Sequence, residues 1–207
     1  MTFDKKRCQF FFFLISVMAG WTSLVSQVRA DTNSFEIRIE APTVIRELLE
    51  RHLTLQRFRA VSDLEDAELA RLLVLADTDV RKLLGTLSYF SPDLQISRIP
   101  PSDPTAQGAT PTILIKVAPG VATLTTQTEL RFKGDIATST DADAARQRDS
   151  INLDWRLPTG QPFTQDGWDA AKTQALRQLV ARRYPAGKVS YSLADIDPAR
   201  QSAALTV

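Results

Sequence analysis

The side chains that most often perform catalysis or bind metals are scarce in this chain. It contains one histidine, His52, and one cysteine, Cys8. His52 falls on the apolar stripe of a predicted helix, where a lone histidine is more often a core or boundary residue than a ligand. A zinc site needs several such ligands. We therefore expect neither residue to form a metal site.

A second group with possible chemistry is the set of aspartates in the polar stretch 138–150. Asp141, Asp143 and Asp149 could hold calcium, but the glycine and terminal glutamate of an EF-hand loop are missing. The sequence supports no Ser-His-acid set, and no glycine-rich phosphate loop follows a predicted strand. A solvated loop or short helix is the better interpretation. We predict no catalytic residues, no cofactor and no metal site.

The chemistry that the sequence does offer is backbone hydrogen bonding along strands. Residues 84–98 (LGTLSYFSPDLQISR) and 179–193 (LVARRYPAGKVSYSL) share one spacing, from a leucine to a tyrosine five residues later and then to alternating apolar residues. We interpret this as a helix-to-strand passage built twice. The structural positions that the repeat singles out are Tyr89, Tyr184 and Trp168. Alternatively, any two α+β halves would show a similar passage.

The elements of the first unit follow from periodicity. Phe35, Ile37 and Ile39 alternate with charged residues and predict a strand, which a helix over 43–53 follows. Ser62 and Glu65 stand at capping-box spacing before a second helix, which either continues through residues 77–79 or restarts there. Gly85 is consistent with another backbone packing closely against this helix. Strands at 94–99 and 112–118 complete a β-α-α-β-β unit over residues 34–118.

The second unit repeats this order less clearly. A long strand from residue 121 places Leu124, Thr126 and Thr128 on one face, continued by Leu130 and Phe132. A helix begins at Trp168 with Asp166 as its cap. The alternation of Val189, Tyr191 and Leu193 predicts a strand, and we expect a turn at 195–200 and a last strand at 202–207.

The amino terminus predicts export. Residues 1–30 contain a basic start, a short apolar run and Val28-Arg29-Ala30, which is typical of a cleavable signal peptide ending near Ala30. The alternative, a membrane anchor, needs about 20 apolar residues. The whole chain has 25 basic and 24 acidic residues, and the remainder stays near neutral without a clustered basic footprint, so we expect no nucleic-acid partner. We expect a periplasmic protein without disulfides.

Several stretches resemble the polypeptide-transport-associated (POTRA) domains of bacterial outer-membrane assembly factors of the BamA/TamA superfamily. FEIRIEAPTVIRELLERHLTL and LLGTLSYFSPDLQI are similar to the first such domain of the TamA branch, the outer-membrane subunits of the translocation and assembly module. LPTGQPFTQDGWDAAKTQALRQLVARRYPAGKVSYSLADIDP is similar to the second. The resemblance implies an α+β fold with two tandem β-α-α-β-β domains, 31–118 and 119–207, each a three-stranded mixed sheet with helices on one face. It also implies that the second domain is truncated at its last strand.

The resemblance further implies a non-catalytic module that docks polypeptides by β-strand addition at the second strand of each domain. The residues so assigned are Leu94, Ile96, Arg98, Val189, Tyr191 and Leu193. The implied partners are outer-membrane client proteins, an inner-membrane partner protein, and the outer membrane through a C-terminal barrel that this chain lacks. The alternatives are that these residues simply face the helices, that the chain is a structural spacer or a free-standing adaptor, or that it binds a small ligand.

Overall fold

The computed structural model describes residues 33–61, 64–103, 105 and 109–207. The predicted signal peptide, residues 1–30, lies outside these residues, as does Ser62 of the predicted capping box. No helix within the described ranges is long and apolar enough to cross a membrane.

The first half of the described chain has the predicted β-α-α-β-β order, with a 3₁₀ helix inserted. Its elements are β1 (Glu36–Glu40), α1 (Thr43–His52), the 3₁₀ helix (Thr54–Phe58), α2 (Asp66–Thr86), β2 (Asp93–Ile99) and β3 (Thr112–Ala118). His52 lies in the last turn of α1 and is exposed, so it is not the core or boundary residue that the sequence predicted.

Helix α2 runs without interruption through residues 77–79, which settles the alternative left open by the sequence. Its buried positions recur at spacings of three and four and are Leu69, Leu72, Ala76, Val80 and Leu84. The Asp79 carboxylate accepts a hydrogen bond of 2.8 Å from the backbone N–H of Thr54, at the start of the 3₁₀ helix. Asp79 therefore caps a neighbouring element, while the continuous apolar stripe holds α2 in one piece.

The first sheet has the strand order β1-β3-β2. Strand β1 is parallel to β3, and β2 is antiparallel to it, so Ile39 and Ile96 both lie opposite Ile115. Ile113 and Ile115 are fully buried, whereas Lys116 between Ile115 and Val117 is exposed. One face of the sheet thus carries the core, and the helices pack on that face only.

The second half builds a sheet of the same order. Its elements are β4 (Leu124–Glu129), α3 (Asp135–Thr138), α4 (Ala142–Leu153), α5 (Gln165–Val180), β5 (Leu193–Asp197) and β6 (Ser202–Thr206). The order is β4-β6-β5, with β4 parallel and β5 antiparallel to β6. The predicted α+β class with two three-stranded mixed sheets is confirmed. The polar stretch 138–150 contains most of α4, capped by Asp141, so the helix rather than the loop is correct.

The predicted facing of the fourth strand is wrong. Thr125 is fully buried, whereas Leu124 is 39% exposed, and the strand ends at Glu129 before Phe132. The pairing of β4 with β6 shifts register between Thr125 and Gln127. Because of this bulge, Leu124 and Thr126 lie on the exposed face, whereas Thr128 lies opposite the buried Leu205, so these three residues do not share one face as predicted.

The predicted position of the fifth strand is also wrong. Val189 and Tyr191 precede β5, which begins at Leu193 and extends into the predicted turn. The inward residues of β5 are Ala194 and Ile196, which pack against the second core and have the opposite parity. The turn starts after Asp197, whose carboxylate accepts hydrogen bonds from the backbone N–H groups of Ala199 and Arg200.

Helix α5 begins earlier than predicted and uses a different cap. Its first residue is Gln165, and the Thr164 hydroxyl accepts a hydrogen bond of 3.0 Å from the N–H of Gly167. Asp166 therefore lies in the first turn, where its carboxylate favours the helix dipole without capping it. The prediction for Asp166 failed because two candidate caps stand close together before Trp168.

Candidate docking edges and an apolar cavity

Strand β2 forms one edge of the first sheet. It pairs with β3 over all seven of its residues, from Asp93 opposite Ala118 to Ile99 opposite Thr112. Among the described residues, no backbone hydrogen bond joins β2 to any element other than β3. Successive residues of an antiparallel strand direct their backbone groups to opposite sides. Alternate N–H and C=O groups of β2 therefore face away from the sheet.

The three predicted docking residues of β2 direct their side chains to the helix side of the sheet. Leu94 and Ile96 are half-buried against the first core. The Arg98 guanidinium forms an ion pair of 2.9 Å with Asp66, in the first turn of α2. These side chains therefore already have intramolecular contacts, which agrees with the alternative that the alternation faces the helices. What β2 leaves available is its backbone edge and the exposed residues Gln95, Ser97 and Ile99.

The outer edge of β4 is partly covered by residues 160–163, in the loop that precedes α5. The N–H of Thr125 donates to Gln161 over 2.8 Å, and Gly160 donates to the C=O of Thr125 over 2.7 Å. Leu124 also forms a bridge with Pro162. At β1, the neighbouring Ser34 N–H donates to Arg59. Within the described part of the chain, no backbone hydrogen bond covers the outer edge of β1, β2 or β5 itself, so these three edges are open while that of β4 is partly covered.

The three repeat positions take different places. Tyr89 packs against the first core, as expected for a ring where helix and sheet meet. Trp168 is buried in the second core, with its ring 6.1 Å from Trp155. Tyr184 belongs to neither core and instead lines a cavity. The spacing of the two passages also differs, because six residues (87–92) separate α2 from β2 and twelve (181–192) separate α5 from β5.

A largely apolar cavity of about 580 Å³ lies where the second sheet meets the ends of its helices. It is bounded by the residues after β4, the carboxyl-terminal turns of α5, the segment before β5 and the end of β6. Its principal apolar lining is Leu130, Phe132, Leu176, Leu179, Val189 and Tyr191. Two predicted docking residues, Val189 and Tyr191, therefore lie beside a cavity rather than in a strand, while Leu193 opens β5. The helix and strand pattern gave no signal for this cavity.

The charged side chains that line the cavity are mostly basic. Arg131 pairs with Glu129 and Arg183 pairs with Asp141, each at 2.7 Å. The hydrogen bond from Arg131 lowers the pKa of the Glu129 carboxyl. The pKa of Asp141 is lowered first by the hydrogen bond that its carboxylate accepts from the Asp143 backbone N–H, and then by Arg183. Both arginines that line the cavity are therefore already paired with carboxylates.

Metal-ligating side chains are not clustered in the described ranges. Among the described residues, no group of three or more histidine, cysteine, aspartate or glutamate residues is placed to hold a metal ion. Asp141 and Asp143 serve α4 instead, since Asp141 accepts from the Asp143 N–H at 2.8 Å and the Asp143 carboxylate pairs with Arg146.

No protein-family model matches the chain, and no curated protein matches it. Among solved structures it is similar to BamA from Haemophilus ducreyi lacking POTRA domains 1–3, with 14% identity, a TM-score of 0.38, and coverage of 84% of this chain and 28% of that one. It is also similar to POTRA3–5 of Haemophilus influenzae BamA, with 17% identity, a TM-score of 0.33, and coverage of 84% and 58%. The chain thus spans less than two thirds of either structure.

The class that the fold defines is α+β with two three-stranded mixed sheets. This arrangement is the one that the sequence resemblance to tandem POTRA domains implies. Both structural likenesses are low in identity and TM-score, so the fold assignment rests on the strand order and pairing of this chain.

Proposed function

We propose that the chain is a non-catalytic periplasmic POTRA module that docks polypeptides during outer-membrane protein assembly, by adding a strand to β2. The observation that carries the proposal is the uncovered backbone edge of β2, which pairs only with β3 among the described elements. An extended polypeptide bound there would gain main-chain hydrogen bonds along the strand.

The charge and shape of β2 support this use of the edge. Unpaired edges invite association, and proteins usually shorten or charge those that must stay free. Strand β2 has seven residues; the outward side chains at its centre, Gln95 and Ser97, carry no charge, and the acidic Asp93 stands at its first position. Its one basic residue, Arg98, turns toward Asp66. A partner strand therefore meets no fixed charge at the centre of β2.

The partners follow from the sequence resemblance to TamA-type factors. They are outer-membrane client proteins and an inner-membrane protein of the translocation and assembly module. On this proposal the domains are 31–118 and 119–207, and the protein is exported by a signal peptide and attached to the outer membrane. Cell fractionation with an antibody to this chain tests the placement, because detection in the cytoplasm alone would contradict it.

Proline substitution at two neighbouring positions tests strand addition. Of Gln95 and Ile96, one directs its backbone N–H to β3 and the other directs it to the free edge. Proline removes the N–H. We expect one of the variants Gln95→Pro and Ile96→Pro to unfold the sheet and the other to fold by circular dichroism. The folded variant should fail to restore outer-membrane protein assembly in cells that lack the wild-type protein.

A matched control distinguishes docking from a spacer role. The control is Gln127→Ala on β4, whose edge is partly covered by residues 160–163. This substitution leaves the backbone N–H in place, so the variant should restore assembly. If the chain were only a spacer, the folded β2 proline variant would restore assembly as fully as Gln127→Ala does. That result would contradict the proposal.

A further inference from the structure

The apolar cavity beside α5 has a buried floor and an exposed mouth. Ile136 and Ile151 are buried and belong to its floor, whereas Val189 and Tyr191 are exposed and belong to its mouth. The cavity volume of about 580 Å³ is within the range of about 300–1,000 Å³ that is usual for ligand sites. The cavity therefore has the size of a small-molecule site with apolar walls.

The described lining contains no buried side-chain polar atom that lacks a hydrogen-bond partner. Among the described residues, such atoms belong to Arg59, Thr125, Gln147 and Gln174, and none of these four residues lines the cavity. An amide or hydroxyl group that leaves water for an apolar site without gaining a hydrogen bond costs free energy. The inner part of the cavity therefore favours a hydrocarbon chain over a peptide or a sugar.

Two lysines in the lining favour a negative charge at the cavity mouth. Besides the two paired arginines, the charged lining residues are Lys133, Lys188 and one carboxylate, Asp135. Both lysines are exposed, and in the described ranges the lysines that form ion pairs are Lys116 and Lys172. Lys133 and Lys188 are therefore not neutralised by an ion pair within these ranges. Because lysine keeps its ammonium group in water while its stem covers apolar surface, an anion at the mouth can contact both lysines without being buried.

We propose that this cavity binds a single-chain anionic amphiphile of the fatty-acid class. The hydrocarbon chain lies against the floor formed by Ile136 and Ile151, and the carboxylate stays at the mouth, where Lys133 and Lys188 contact it. The two ends of such a molecule match the two parts of the lining, whereas a cationic amphiphile meets two ammonium groups. The site belongs to the second half of the chain, and the proposal does not depend on docking at the β2 edge.

Isothermal titration calorimetry with decanoate tests the proposal on the purified full chain. We expect decanoate to bind, and decyltrimethylammonium, which has the same chain length and the opposite charge, to bind at least about tenfold more weakly. The affinity should rise from hexanoate through octanoate to decanoate by about fifteenfold for each two methylene groups that the cavity buries. Equal affinities for decanoate and decyltrimethylammonium, or an affinity that does not change with chain length, would overturn the proposal.

Two double variants of equal net charge test the position of the carboxylate. Lys133→Gln/Lys188→Gln should weaken decanoate binding by about fivefold, because two exposed charge contacts are lost. Lys82→Gln/Lys116→Gln removes the same charge from the first half of the chain and should leave the affinity unchanged. Equal losses in the two variants would contradict a contact between the carboxylate and the lysines of the lining.

A cavity-filling variant tests the position of the hydrocarbon chain. Leu176→Trp places a larger side chain in the lining and should abolish decanoate binding, whereas Leu153→Trp changes a residue that is 86% exposed and lies outside the lining. Circular dichroism checks that both variants fold, and the chain-length series and the lysine variants decide the question if Leu176→Trp does not. Decanoate binding by a folded Leu176→Trp variant at the wild-type affinity would overturn the proposal. Binding of the wild-type chain to vesicles of anionic phospholipid without binding of decanoate would also overturn it, because a basic surface rather than a cavity would then be the site.

Discussion

The rings of Phe90 and Phe163 lie 6.1 Å apart with their planes tilted by 38°. Phe90 stands between α2 and β2 of the first sheet, yet its ring packs against the second core, where Phe163 is buried. Nearby, the Thr123 N–H donates to Ser88 over 2.8 Å, and the Ser91 hydroxyl donates to Pro198 over 3.1 Å. Phe90 and its neighbours therefore join the two sheets.

Replacing Phe90 should weaken this junction. We expect Phe90→Ala to lower the free energy of unfolding by about 2–3 kcal/mol, less than for a fully buried phenylalanine because Phe90 is half-buried. Urea denaturation followed by circular dichroism measures this loss. Leu153→Ala, at a residue 86% exposed, is the control and should change stability by less than about 0.5 kcal/mol. Equal effects of the two substitutions would contradict the packing of Phe90 in the second core.

Thr164, the cap of α5, should contribute more to the free energy of unfolding than Asp166 in the first turn of the same helix. Thr164→Ala removes the hydroxyl that accepts from the Gly167 N–H and should cost about 1 kcal/mol. Thr164→Ser keeps the acceptor and should retain most of the stability. Asp166→Ala tests the cap that the sequence predicted, and thermal unfolding should show a smaller loss than for Thr164→Ala. The reverse order would restore Asp166 as the cap.

The stability contributed by Asp141 should depend on pH in the acidic range. Its pKa in the folded chain lies below the ordinary value of 3.8, because its carboxylate accepts from the Asp143 N–H and pairs with Arg183, with Arg146 nearby. The contribution is therefore complete above the unfolded-state pKa and is lost as the pH falls through the lowered folded-state value. We expect Asp141→Asn to be less stable than the wild type at about pH 6 and to approach it below about pH 3. A stability difference that stays constant over this range would contradict the ionised cap.

The turn between β5 and β6 contains a residue in the left-handed region. Gln201 has φ of 53°, a conformation that costs a residue with a side chain about 1–2 kcal/mol. Gln201→Gly should therefore raise the free energy of unfolding by about 0.5–1 kcal/mol, after the larger entropy that glycine gains in the unfolded chain.

The neighbouring Arg200 provides the control for this turn. Its φ is not positive, so Arg200→Gly offers no relief of backbone strain and should be neutral or destabilising. Differential scanning calorimetry of the two variants measures both effects. A higher melting temperature for Arg200→Gly than for Gln201→Gly would contradict the expected strain at Gln201.

The close approach at Gly85 was predicted from the sequence, but its partner was not. The sequence suggested that another backbone packs against this glycine. The structure places the Phe90 side chain there instead, with Cε1 3.2 Å from where a Cβ atom would lie. Periodicity located the helix and its need for a small residue, but the partner is set by how the chain turns after α2.

The first half was predicted well because its signals are local. Strict alternation around Ile37 and Ile39, a continuous stripe along α2 and a β-branched strand at 112–118 each specify one element and its buried face. The edge position of β2 was also predicted from the resemblance to POTRA domains, and the strand order places it there. Docking at this edge stays a prediction.

The second half required the tertiary structure. A bulge between Thr125 and Gln127 divided the single face predicted for β4. Strand β5 begins later than the alternation of Val189 and Tyr191 indicated, because Ala194 and Ile196 are the residues that pack against the second core. The sequence alone determined the class of the fold and the order of its six strands along the chain, because these depend on spacing within short segments, whereas it gave neither the 3₁₀ helix nor α3. The register of β4 and β5, the cavity beside residues 188–192 and the packing of Phe90 depend on contacts between segments far apart in the chain, and only the folded structure decides them.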